Sequence, residues 1–118
     1  MAWYAAHAIM YVKVKDGRQD KYPFWENIIL IEAETDDQAF QKAEARARDD
    51  EGDSQGTLTY QGRPANLVFA GIRRLVSCTD PLDQPTDGTE ITYLEMEIES
   101  EDCFTKLLNG EPVQVRYE

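Results

Sequence analysis

The chain has 118 residues and a net charge of −11, from 23 acidic and 12 basic side chains. Its length fits one domain, residues 1–118, with its own core, and 42% hydrophobic residues with 10% aromatics mark a folded globular chain. The acidic balance argues against nucleic-acid binding, which rests on Lys and Arg releasing counterions, and apolar runs such as Ile28 to Ile31 are far too short to cross a bilayer.

Residues 3–15 read as a strand, dense in β-branched and aromatic side chains at Ile9, Tyr11, Val12 and Val14. With no basic region ahead of it, this start is a structured strand rather than a signal peptide, and the expected location is cytoplasmic. Asp16-Gly17 supplies a turn. Phe24 to Ala33 is a second strand, apolar on both parities, where a strand with one wet face would alternate. Both strands are therefore expected to be central, with both faces covered.

The helix that follows has the strongest local signals. "TDDQ" places Thr35 to accept from the amide three residues on and Gln38 to reach back. Asp36 and Asp37 lie in the first turn, where the helix dipole favours acid. Ala39, Phe40, Ala43 and Ala47 form the apolar stripe, and Glu44 and Arg48 are spaced for an ion pair. Asp49, Asp50 and Glu51 oppose the dipole, so the helix is expected to fray before Gly52.

A short strand is expected at Thr57 to Gln61, then a long one over "NLVFAGIRRLVSC", with Gly71 signalling a bulge or close packing. "TDPLDQPTDG" reads as a loop, and a fifth strand begins at Thr89. Ser100 and Gly110 bracket a second, short helix, and "PVQVRY" closes the chain as a strand. The order ββαβββαβ predicts an α+β fold, an antiparallel-rich sheet with one long helix packed on a face.

Candidate chemistry is sparse. No phosphate loop, dinucleotide fingerprint, nucleophile elbow or paired-cysteine zinc pattern occurs, so no catalytic residue, metal or cofactor is assigned. Cys78 and Cys103 read as two buried thiols. His7, the sole histidine, sits among alanines with no acid or nucleophile near it in sequence and reads as structural. Arg73 and Arg74 are adjacent on a strand, hence on opposite faces. Glu95, Glu97 and Glu99 share one face of the fifth strand and Leu94, Met96 and Ile98 the other. Parallel carboxylates on a pleat diverge into water rather than converge on a cation. These six residues read as an interface whose acids guard a strand running past its neighbours.

"WYAA", "WENIILIEAETDDQAFQKA", "YQG", "VFAGIRRL" and "DGTEITY" occur here in that order. Together they resemble a bacterial family of short proteins, domain of unknown function 4288, over roughly residues 3–93. The resemblance implies a small soluble bacterial α+β protein. Trp3, Trp25, Glu26 and Glu90 fall on matching positions of the family pattern. Glu26, in an otherwise apolar strand, must be paired or shifted in pKa, and an ion pair with Arg73 or Arg74 is the plain expectation.

Two functional readings follow. The first is a non-catalytic interaction or regulatory module that binds a protein partner, itself included as a homodimer, through an uncovered apolar face. The alternative is a small-molecule-binding protein or simple enzyme with a crevice near Trp3, Trp25, Glu26 and an arginine such as Arg73, with Glu90 as a further binding candidate.

Overall fold

The computed structural model describes residues 1–78 and 84–117. Its elements are β1 (Ala2–Val14), β2 (Phe24–Ala33), α1 (Asp36–Arg48), β3 (Thr59–Tyr60), β4 (Arg63–Ser77), β5 (Met96–Glu97), α2 (Glu101–Leu108) and β6 (Arg116–Tyr117). The order ββαβββαβ and the antiparallel α+β class match the sequence reading. Residues 79–83 of the expected loop lie outside the described residues.

Both expected helices form, but the one expected to be long has only 13 residues, which corrects that detail. α1 starts where the capping residues place it, with the Gln38 amide donating to Thr35 Oγ1 at 3.1 Å. The Gln38 side chain reaches one residue beyond the cap, accepting from the Glu34 amide at 2.7 Å. The helix stops after Arg48 because Gly52, at φ 145°, turns the chain to bridge Leu67. Arg46 and Arg48 answer the acids there, at 2.9 Å to Asp50 and 3.9 Å to Glu51, in place of the expected Glu44–Arg48 pair.

The main sheet has the strand order β2-β1-β4-β3, all neighbours antiparallel. Only β1 of the first two strands is central. β2 is an edge, which corrects the expectation drawn from its double-sided apolar pattern. Apolar residues on both parities show that a strand avoids water; they do not show that its own chain covers it.

α1 packs one face of this sheet. Tyr4, Ala6, Ala8 and Met10 of β1 meet Ile31 and Ala33 of β2, Phe69 of β4, and Ala39, Ala43 and Ala47 of the helix, all buried. Alanines on both sides let helix and sheet approach closely, so the interface tolerates little added volume. Phe40, expected in the stripe, falls at its exposed margin. The free edge of β4 beyond β3 is closed by Glu51, which accepts the Phe69 amide at 2.9 Å, and by the Gly52–Leu67 bridge.

The fifth strand does not join this sheet. Residues 89–95 form no regular strand; β5 pairs only with β6, in a separate two-stranded ladder. With α2 they form an arm that contains no buried residue. The Cα radius of gyration, 17.4 Å, records the projection, because a compact chain of this length would have about 13.5 Å. Among the described residues no helix is long and apolar enough to cross a membrane.

Candidate functional site

The register of β1 sets up the second sheet face. Since even-numbered residues of β1 meet α1, odd-numbered ones, among them Trp3, His7, Ile9 and Tyr11, point the other way. Opposite them on β2 stand Glu32, Ile28, Glu26 and Phe24.

On this face His7 is wholly buried and bonded at both ring nitrogens. Nδ1 lies 2.7 Å from Glu26 Oε2, and Nε2 lies 2.6 Å from Thr92 Oγ1. A carboxylate only accepts, so Nδ1 carries a proton toward Glu26, and the second bond joins Nε2 to the Thr92 hydroxyl, a group able to give or to accept. The same Glu26 oxygen accepts two bonds from Arg73, at 2.8 Å and 3.1 Å. Burial pushes the Glu26 carboxyl up, but the hydrogen bonds from Arg73 and His7 and the Arg73 charge outweigh it. The group therefore lies below the ordinary carboxylate range.

Two adjacent arginines serve this one face because β4 bulges. His7 pairs with Arg74 and Ala8 with Ile72, which leaves Arg73 as the extra residue. The expectation that Arg73 and Arg74 occupy opposite faces is thereby corrected. Arg73 reaches Glu26, while Arg74 donates to the Tyr93 carbonyl at 2.8 Å and lies 5.2 Å from the centre of the Tyr93 ring. A second register shift falls beside Gly71, where a bulge is expected, and leaves Ala70 as the extra residue.

Residues 91–93 are thus held across the sheet as a strap. The Cys78 thiol, buried and raised in pKa by that burial, approaches the Ile91 carbonyl at 3.7 Å. Cys103 is only partly buried, short of the expected burial.

Hydroxyl, imidazole and carboxylate in line have the geometry of a nucleophile, base and orienting acid. The surroundings do not extend it. The larger surface grooves are lined elsewhere, by neither His7, Glu26 nor Thr92. The Arg73 guanidinium is committed to Glu26 and to the Tyr117 ring, 4.9 Å away. Among the described residues no His, Cys, Asp or Glu cluster could hold a metal ion.

The candidate binding residues are not brought together. Glu26 and Arg73 pair directly, but Trp3 stands opposite Glu32 and Trp25 opposite Met10, seven β1 positions apart and on opposite faces. Glu90 lies in the chain just ahead of the strap. The interface candidates Leu94 to Glu99 all lie on the arm, with Leu94 and Met96 exposed and Ile98 half-buried. His7 and Thr92 were missed as partners because 85 residues separate them. The available signal was a lone histidine on a strand of small residues, which must find partners somewhere.

A family model described as Domain of unknown function (DUF4288) matches residues 3–93. That span begins in β1 and ends on Tyr93, the last residue of the strap. No curated protein and no solved structure matches the chain.

Proposed function

The chain belongs to the DUF4288 family, and from that premise we propose that it is a non-catalytic interaction module that works by associating with itself. One observation supports this reading: the sheet face opposite α1 leaves Phe24, Ile28 and Leu30 exposed beyond the strap. Ile28 and Leu30 are alternate neighbours and Phe24 lies on the same side beyond Glu26, so large exposed apolar side chains gather on one face of one edge strand rather than scatter. That strand also presents unpaired backbone along its outer side, guarded at one carbonyl, Glu32, by Lys42.

The crevice reading lacks such support, since Glu26 already takes the bonds from His7 and Arg73 on one oxygen, and none of the five grooves described is lined by Trp3, Trp25 or Glu26. Sedimentation velocity from micromolar to millimolar concentration tests the proposal. A dimer is expected within that range; a monomer throughout refutes it.

A further inference from the structure

The arm is fixed at both ends and apolar in between. Tyr93 packs on Arg74 and Tyr117 on the adjacent Arg73, so β5, α2 and β6 form a loop hung from neighbouring positions of β4. Within it α2 shows Phe104, Leu107 and Leu108 at 51%, 43% and 85% exposure. A helix of eight residues is too short to hold itself together in water and needs something packed on its apolar side.

The sheet offers a matching surface. A groove of about 490 Å³, lined by Ile9, Tyr11, Lys13, Tyr22 and Phe24, opens on the face away from α1. Its lining includes Lys13, and the adjoining loop between β1 and β2 is net basic, with Lys15, Arg18 and Lys21 against Asp16 and Asp20. Lys15 pairs with Asp53 and Arg18 with Asp20, so Lys13 and Lys21 are the cations open to a partner's acids. The arm is acidic, with Glu101 and Asp102 in the first turn of α2 after Glu95, Glu97 and Glu99. Apolar surface and charge are therefore complementary between two parts of one chain that do not touch.

We infer that the protein forms a reciprocal homodimer in which α2 of each copy lies in this groove of the other. Phe104, Leu107 and Leu108 pack on Tyr11, Tyr22 and Phe24, and the acidic first turn faces Lys13 and Lys21. The inference rests on the self-association reading above and names its contact surface. A second copy is favoured over the arm's own sheet because both arm ends are held at Arg73 and Arg74 while every apolar side chain of α2 stays unburied. One helix in one groove buries little; a two-fold axis makes the contact twice and moves the total toward the roughly 1,200–2,000 Å² of stable interfaces.

Sedimentation equilibrium of the full chain tests this. Wild type should dimerise, and Leu108→Asp should raise the dimer Kd at least tenfold while leaving the fold of the dilute monomer unchanged by circular dichroism. K13E/K21E should also raise it at least tenfold, and adding E101K/D102K should return it to within about threefold, because the charge pairs are then reversed rather than lost. A wild-type dimer whose Kd moves less than threefold in both L108D and K13E/K21E overturns this docking and leaves self-association standing. Wild type that stays monomeric at millimolar concentration overturns both.

Discussion

Replacing His7 with phenylalanine removes the centre of the strap's anchorage while keeping the ring volume. His7 is fully buried, so the cavity contribution is small and the loss is mainly polar. The bond to Glu26 involves a charge and is worth about 1.5–3 kcal/mol; the bond to the Thr92 hydroxyl is worth about 0.5–1.5 kcal/mol. Glu26 keeps both bonds from Arg73 and is not orphaned, whereas the half-buried Thr92 loses its partner. The expected destabilisation is about 2–4 kcal/mol, or roughly 8–16 °C in Tm for a domain of this size. Urea unfolding followed by the fluorescence of Trp3 and Trp25 measures it. Adding Thr92→Val should recover about 1 kcal/mol, since an apolar pair is better than an unsatisfied hydroxyl. H7F within about 0.5 kcal/mol of wild type, or strict additivity with T92V, would refute this account of the strap.

Two further outcomes follow from the same geometry. Because the folded-state pKa of Glu26 is depressed, its contribution is complete above the unfolded value of about 4.3 and fades as pH falls through the folded value. Glu26→Gln should therefore be less stable than wild type near pH 7 and show a flatter acid limb in urea midpoints measured from pH 3 to 7. Ala43→Leu, at a wholly buried position between α1 and the sheet, should cost about 1–3 kcal/mol in thermal unfolding, whereas Ala45→Leu, on the exposed side, should stay within about 0.5 kcal/mol.

Local chemistry was readable in the sequence; lateral placement was not. The Thr35 cap, the alanine stripe of α1 and the bulge beside Gly71 each depend on residues within a few positions, and each is present. β2 has the boundaries its composition predicts, yet it lies at an edge, because strand neighbours are set by pairings far along the chain. Glu26 was identifiable as a carboxylate in need of a partner, and Arg73 as one of two candidates. The bulge that turns both arginines to one face has no marker in the sequence at Arg73 itself. Residues 91–93 do not join the sheet: the Thr92 side chain on His7 and the Arg74 side chain on the Tyr93 carbonyl hold them over its face instead.

The hydrogen bond between His7 and Thr92 also bears on when the protein can fold. His7 leaves the ribosome ahead of Thr92, which follows 85 residues later. β1 can pair with β2 early, as a hairpin, but its other side stays open until β4 has been made. The imidazole then waits longer still, for the last residues of the family segment. A chain stalled short of Thr92 therefore holds a histidine bonded through Nδ1 to Glu26 but still lacking the hydroxyl at Nε2. Closure of the domain is a late event in synthesis, and its rate is governed by the slow meeting of distant segments.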